Sequence, residues 1–302
     1  MKKRDFLSLA DLSLAEARAV LELARTMKSE LAYDRAARLR MFPGRACGIL
    51  MEKASTRTRV SFEVGAAQLG MIPVVLTTQG SQLARGEPVA DTARVLSGYV
   101  DLLVFRTSTR ERLEQMAKHA SVPVINALSD DGHPVQVLSD VFTIEEHFKK
   151  SISGMRVAWI GDGSSNMARS FVEASKLFAF ELRVAGPADY LKADLGGAHF
   201  TTDAREALLG ADVVCTDVWT SMGQEAENEK RLRDFAGWTL DDDKLAHAKP
   251  SAIVLHCLPA HRGEEISASV IESPRSSVWT QAENRLHVQK ALMAFLLGWS
   301  PS

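Results

Sequence analysis

Residues 46–69 have the sequence ACGILMEKASTRTRVSFEVGAAQL, and their pattern is the strongest indication of the fold class. Its first six residues are an apolar run, which predicts a short buried strand. Polar residues occupy 55–59, and Phe62, Ala66 and Leu69 then recur at the spacing of one helix face. The stretch therefore predicts a strand, a polar loop and a helix, which is the repeating unit of a parallel sheet.

The same alternation continues along the chain in two runs, separated by the small polar link at 151–154. Further strands are predicted at 73–76, 102–105, 122–125, 156–160, 182–185, 213–216 and 252–255. Helices are predicted at 91–96, 111–119, 136–148, 167–178, 203–209 and from about 285 to 297. The fold class is therefore α/β, with two doubly wound domains, each with a central mostly parallel sheet flanked by helices.

Composition excludes several classes of protein. The 302 residues carry 36 Lys and Arg against 38 Asp and Glu, and a net charge of -2 does not suit a broadly basic nucleic-acid-binding protein. No apolar run reaches the length of a membrane span, and no apolar core follows the basic start as in a secretory signal. Three widely spaced cysteines, Cys47, Cys215 and Cys257, argue against a disulfide framework or a zinc site and predict a cytoplasmic protein.

Ligands of open α/β sheets lie beyond the carboxyl ends of the strands, so the loops there are the candidate site. The first such loop, Ser55-Thr56-Arg57-Thr58-Arg59, opens a helix. Helix N-termini bind anions, and arginine can hold two phosphate oxygens at once. The alternative interpretation is a capped helix with surface arginines.

Three more polar residues follow strand ends in the same half of the chain: Arg106, His133 and Gln136. An arginine and a histidine aimed at one oxygen would stabilise developing negative charge. The alternative is a loop histidine satisfied by its neighbours.

In the second half, the loop 161–166 resembles a dinucleotide loop only in part. Asn166 stands where the third glycine is needed, and no acidic residue follows the strand 182–185, so we expect no nucleotide cofactor. Asp217 follows another strand and could pair with a cationic amine. The charged stretch 224–234 is most simply a solvated helix face, and Cys257 alone would be a buried thiol.

Four motifs, STRTR at 55–59, HPVQ at 133–136, DVWTSMG at 217–223 and HCLP at 256–259, resemble those of the aspartate/ornithine carbamoyltransferase family. The third is typical of members that act on ornithine. The resemblance implies a homotrimer, or a multiple of trimers, with active sites shared between subunits. It also implies a last helix that packs on the first domain. We therefore expect a carbamoyl-phosphate domain at 1–147 plus 286–302 and an ornithine domain at 148–285.

The resemblance also implies the site residues. Those expected to act on the reacting groups are Arg57, Thr58, Arg106, His133 and Cys257. Those expected to bind the two substrates are Ser55, Thr56, Gln82 (from a neighbouring subunit), Gln136, Asn166, Asp217, Ser221, Met222, Leu258 and Arg285. Neither a metal nor a cofactor is implied, because amine attack and phosphate departure need only positioning and preorganised charge.

The implied reaction is carbamoyl transfer to L-ornithine, within arginine metabolism. The loop 79–87 lacks the lysine of aspartate-specific relatives, and Thr56 stands where relatives that use N-acetylated ornithine have methionine. Three alternatives stay open: another amine such as putrescine or an N-acylated ornithine as acceptor, a non-catalytic metabolite-binding homologue, and a nucleotide-dependent oxidoreductase.

Overall fold

The computed structural model describes residues 3–33, 41–77, 82–191, 196–220 and 227–299. The chain divides into two compact units, Met1–Leu138 with Asn284–Ser302 and Ser139–Glu283. Each unit contains a sheet in which all the described strands are parallel. The predicted α/β class is thereby confirmed. Among the described residues, no helix is both long and apolar enough to cross a bilayer.

The sheet of the first unit has the strand order β2-β1-β3-β4. Its strands are β1 (Ala46–Met51), β2 (Ile72–Thr77), β3 (Leu102–Arg106) and β4 (Val124–Leu128). Its helices are α1 (Leu14–Tyr33), α2 (Thr56–Gln68), α3 (Val89–Ser97) and α4 (Arg110–His119). Every residue of β3 is buried, as expected for a central strand of a parallel sheet that helices cover.

The sheet of the second unit has the order β7-β6-β5-β8-β9. Its strands are β5 (Arg156–Ile160), β6 (Glu181–Ala185), β7 (His199–Thr201), β8 (Val213–Thr216) and β9 (Ile253–His256). Its helices are α6 (Asn166–Phe178), α7 (Ala204–Leu208), α8 (Asn228–Asp234), α9 (Asp242–Leu245) and α10 (Ala268–Ile271). Two longer helices, α5 (Pro134–Phe148) and α11 (Val278–Leu296), contribute residues to both units.

In each sheet, successive strands are added to one side of the first strand and then to its other side. This change of side falls between β1 and β3 in the first sheet and between β5 and β8 in the second. Connections leave to opposite sides there, which opens a crevice beyond the carboxyl ends of the two strands. The polar loops after these strands are those that the sequence singles out. The topology therefore places one candidate binding region on each sheet.

Within the first unit, α2 packs closely on α11. A Cβ added at Gly65 would lie 3.3 Å from Lys290 Cγ and 3.3 Å from Met293 Cε, tighter than most van der Waals contacts. Glycine therefore allows the two helix backbones to approach. This contact fixes α11 against the helix whose N-terminus carries the STRTR motif.

At two boundaries the structure differs from the sequence prediction because buried polar residues obscure the apolar pattern. Helix α11 begins at Val278, well before the expected start near 285, and its first turns bury Gln281, Asn284 and Arg285. Strand β4 extends to Leu128, beyond the predicted 122–125, and includes the buried Asn126. The short strand β7 was missed, since its three residues are exposed or half-buried.

The interpretation of residues 224–234 as a solvated helix face was wrong for Arg231, which is buried in α8. Its guanidinium donates to Asp162 Oδ2 and to the Trp219 carbonyl, both at 2.8 Å. A buried charge needs such partners. A tertiary ion pair therefore buries a residue that local composition places in solvent.

Candidate active site

The anion-binding loop of the first unit is set by a helix cap. Ser55 has extended backbone angles, and its Oγ accepts the backbone N–H of Thr58 at 3.3 Å, so α2 starts at Thr56. Ser55 Oγ also donates to Thr58 Oγ1 at 3.1 Å. The cap places the first turn of α2 at the carboxyl end of β1. The backbone N–H groups of a first turn have no partner within the helix.

Two arginines converge on the Thr58 hydroxyl. Arg106, the last residue of β3, donates through Nη1 at 3.3 Å, and Arg285, on α11, donates through Nη2 at 2.9 Å. Strand register explains the first contact, because Arg106 pairs with Met51 at the end of β1. All three side chains are buried. Buried guanidinium donors arranged around one point form a site for an oxyanion.

His133 completes this group and is uncharged. Burial, followed by the positive charges of Arg285 and Arg106, holds the pKa of His133 well below its ordinary value. A neutral imidazole can donate one hydrogen bond without adding a further positive charge. The site therefore combines permanent cations with one neutral donor.

The structure also places the remaining predicted residues of this unit, Gln136, Thr56, Arg57 and Gln82. Gln136 is buried in the first turn of α5, and its backbone N–H donates to the His133 carbonyl at 3.0 Å. Thr56 is exposed and Arg57 half-buried, both in the first turn of α2. Gln82 lies in an exposed turn, and no hydrogen bond among the described residues brings it to Thr58 or Arg106.

In the second unit, strand register brings Asp217 beside Cys257. Thr216 of β8 pairs with His256 of β9, so the next residue of each strand emerges at the same edge. The Cys257 thiol donates to Asp217 Oδ1 at 3.0 Å. Burial raises the pKa of Asp217, while the thiol and the Val218 backbone N–H oppose that rise by donating hydrogen bonds to its carboxylate. A buried carboxylate at this edge can attract a cationic amine.

The backbone around Cys257 is held by its neighbour. The backbone N–H of Leu258 donates to His256 Nδ1 at 2.9 Å, so the ring proton lies on Nε2, which donates to Glu265 at 3.0 Å. Leu258 has φ of 60°, a conformation that L-residues adopt only when surroundings impose it. Both His256 and Glu265 are buried. Glu265 was missed from the sequence, because no local pattern links it to β9.

Three further residues of this unit were predicted from the sequence: Asn166, Ser221 and Met222. Asn166 begins α6, after the N-cap Ser165, whose Oγ accepts from the Ala168 N–H at 3.2 Å. Ser221 and Met222 lie outside the described residues.

Sequence reasoning also missed a carboxylate at the first site. Glu52 follows β1, donates its backbone N–H to the Arg106 carbonyl at 2.9 Å, and accepts from Thr107 and, bidentately, from Arg112. The ion pair joins residues 60 positions apart, so no sequence pattern reveals it. Arg112 offsets a negative charge that would otherwise repel an anion.

Two groups of side chains bring potential metal-ligand atoms within 4.8 Å of one another: Asp217 with His256 and Cys257, and His261 with Glu264 and Glu265. Hydrogen bonds engage atoms in both groups.

Comparisons with known proteins agree with this geometry. Residues 4–146 match the carbamoyl-P binding domain of aspartate/ornithine carbamoyltransferase, and residues 153–296 match its Asp/Orn binding domain. The fold and the two polar strand edges thus define a two-domain carbamoyltransferase. The chain belongs to the aspartate/ornithine carbamoyltransferase family.

Similar proteins cover the whole chain. The ornithine carbamoyltransferase of Sorangium cellulosum is 60% identical over 99% of each chain, and that of Acidothermus cellulolyticus is 50% identical over 97% of this chain and 96% of its own. The crystal structure of ornithine carbamoyltransferase from Pyrococcus furiosus has a TM-score of 0.91 at 43% identity, covering 99% of this chain and 98% of its own.

Proposed function

We propose that this protein transfers the carbamoyl group of carbamoyl phosphate to the side-chain amine of L-ornithine, giving L-citrulline and phosphate. The observation that carries the proposal is the convergence of Arg106 and Arg285 on Thr58, at 3.3 and 2.9 Å, beside a neutral His133. This donor set suits a small phosphorylated carbonyl compound. Relatives that cover the whole chain are ornithine carbamoyltransferases, which supports ornithine as the acceptor.

In the proposed mechanism, the first unit holds carbamoyl phosphate. Arg57 and the first turn of α2, with Ser55 and Thr56, bind the phosphate, and Arg285 also reaches this substrate. Gln136, with the backbone of Leu258, binds the carbamoyl end. Thr58, Arg106 and His133 donate to the carbonyl oxygen as it gains charge in the tetrahedral species. Neutral His133 donates without a proton transfer.

The second unit binds ornithine. Asn166, Asp217, Ser221 and Met222 bind its α-amino and carboxylate groups, and Cys257 and Asp217 are the candidates for influencing the pKa of its side-chain amine. An alkylammonium has a pKa of about 10.4, so the attacking nitrogen must first lose a proton. The new N–C bond then forms, the C–O bond to phosphate breaks, and phosphate leaves with the electron pair and takes up the second proton that the nitrogen must lose. Arg57 neutralises that leaving group.

An acceptor assay tests the proposal. The purified chain is given carbamoyl phosphate with ornithine, putrescine, N-acetylornithine or aspartate in turn, and the carbamoylated product is quantified. We expect ornithine to give a kcat/KM at least 100-fold above each other amine. Equal or faster reaction with putrescine would refute ornithine as the acceptor, and no turnover with any amine would indicate a metabolite-binding homologue.

We further infer that copies of this chain form a homotrimer or a multiple of trimers. Four apolar side chains on α2 and the edge strand β2 are 38 to 57% exposed: Val60, Val64, Ile72 and Val74. An exposed apolar edge strand is a surface that a second copy can cover. Native mass measurement should give a multiple of three chains, and a monomer would contradict the inference.

Gln82 is proposed to act in a neighbouring copy's site. Mixing inactive Arg57→Ala and Gln82→Ala chains under exchange conditions should restore activity, because some interfaces then combine an intact Arg57 with an intact Gln82. Mixtures that stay inactive would place both residues in one chain's site. Cys47, Cys215 and Cys257 are thiols that form no disulfide with one another, which supports a reducing, cytoplasmic location.

The expected domain division remains part of this proposal. Residues 1–147 with 286–302 would bind carbamoyl phosphate, and residues 148–285 would bind ornithine. The assignment is supported by the anion-binding cluster in the first unit and the carboxylate–thiol pair in the second. Calorimetric titration with phosphate or ornithine, on Asp217→Asn and Arg57→Ala chains, tests it: each variant should lose one ligand and keep the other.

A further inference from the structure

The side chain of Gln281, near the start of α11, is held between two buried groups. Its Nε2 donates to Asp140 Oδ1 on α5 at 2.8 Å, and its Oε1 accepts the backbone N–H of His256 at 2.9 Å. Gln281 is 1% exposed and Asp140 is fully buried. Asp140 accepts and the backbone N–H donates, so only one orientation of the amide satisfies both partners.

This amide fixes the backbone at the end of β9. His256 is the last residue of β9, and its backbone N–H is bound by Gln281. The next fixed amide is that of Leu258, held by His256 Nδ1. Cys257 stands between these two anchors, with its thiol on Asp217. The direction of the thiol therefore depends on a hydrogen bond made by a residue 24 positions later.

We propose that Gln281, oriented by Asp140, is a positioning residue that holds Cys257 and Leu258 in the geometry for carbamoyl transfer; this rests on the function proposed above. Gln281 acts through the His256 backbone and contacts no reacting group. Loss of its hydrogen bonds should slow turnover while the anion cluster around Thr58 keeps its affinity for phosphate.

Three variants separate positioning from packing. Gln281→Leu keeps the approximate volume and removes both hydrogen bonds. Gln281→Glu places a carboxyl against Asp140, and two carboxyls in contact share one proton. While that proton is held, the acid donates to Asp140 and accepts from His256, and once it is lost the two charges repel. Asp140→Asn combined with Gln281→Glu reverses the polarity of the bond, since the asparagine amide donates and the carboxylate accepts both.

The neighbouring Cys215 thiol does not contribute a charge that would change the pH dependence of these variants. Among the described residues beside the pair are Cys215 on β8 and His256 on β9. Burial, and then Asp140, raises the pKa of Cys215 well above its ordinary value, so the thiol stays neutral. Asp140 is therefore the charge that a new carboxyl at position 281 would meet.

The experiment measures citrulline formation by the full-length variants between pH 6 and 9.5, with inorganic phosphate affinity measured by calorimetry. We expect kcat of Gln281→Leu to fall at least 10-fold, with phosphate affinity within 2-fold of the wild type. The rate of Gln281→Glu relative to the wild type should decline with rising pH, and the double variant should remove that decline.

A Gln281→Leu chain with wild-type kcat would overturn the proposal, as would the same decline in the double variant. A Gln281→Leu chain that does not fold leaves the comparison of the other two variants decisive. Absence of turnover in the wild type would instead refute the proposed function, so the two failures are distinguishable.

Discussion

Arg285 Nη2 lies 2.9 Å from Thr58 Oγ1, although 227 positions separate the two residues. The contact joins the last long helix to the first turn of α2 within one compact unit. The anion-binding cluster therefore depends on tertiary packing and is not a local sequence motif. The C-terminal helix is thus part of the site.

Arg285→Met should weaken the proposed carbamoyl phosphate site. The variant removes one guanidinium from the group around Thr58, and charged hydrogen bonds of this kind contribute about 1.5–3 kcal/mol each. We expect kcat/KM for carbamoyl phosphate to fall roughly 10- to 100-fold. Steady-state kinetics measure this. Arg94→Met, an exposed arginine paired with Asp91, is the matched control and should stay within 2-fold.

His133 should contribute to loss of stability in acid. Its folded pKa lies well below the unfolded value of about 6.5, so below pH 6.5 the unfolded chain binds the proton more readily. The protein should lose stability as pH falls from 6.5, with a slope of up to about 1.4 kcal/mol per pH unit from this group.

Melting temperatures of the wild type and His133→Gln at pH 7.5 and 5.5 measure that effect. The wild type should lose more degrees between the two pH values than the variant, which has no proton to take up. Parallel losses would contradict an uncharged, buried His133.

Cys257→Ala should shift the pH dependence of ornithine use. The thiol hydrogen bond lowers the pKa of Asp217, which burial raises, so its removal should raise that pKa further. Asp217 attracts the amine only when ionised. The acid limb of kcat/KM for ornithine should therefore move to higher pH, measured as a profile from pH 5 to 9. Cys257→Ser, which retains a donor, should move it less; equal shifts would argue against the hydrogen bond as the cause.

Lys290 is 1% exposed on α11, and burial, opposed by Glu30, lowers its pKa to about 8. Because the folded pKa is below the unfolded value, the charged amine destabilises the folded chain at neutral pH, by roughly 3 kcal/mol as an upper bound. The cost disappears as pH rises from 8 to about 10.5. Lys290→Met should raise the melting temperature at pH 7, and the gain should shrink at pH 10. A lower melting temperature at pH 7 would contradict this.

The sequence predicted well what is local. Apolar runs gave nearly every strand, and the capping residue Ser55 marks the start of α2. The motifs placed Thr58, His133 and Cys257 in the segments that follow strands, where parallel sheets bind ligands. The early start of α11 was missed because buried polar residues such as Gln281 lack apolar periodicity.

By itself, the sequence determined the alternation of strands and helices and the residues that follow each strand, because period and propensity are local properties. Tertiary structure decided which of those residues meet. Strand register sets Asp217 beside Cys257, and helix packing at Gly65 fixes α11, which carries Arg285 to Thr58. Burial then sets the charge of His133, since desolvation depends on everything that surrounds a group rather than on its neighbours in sequence.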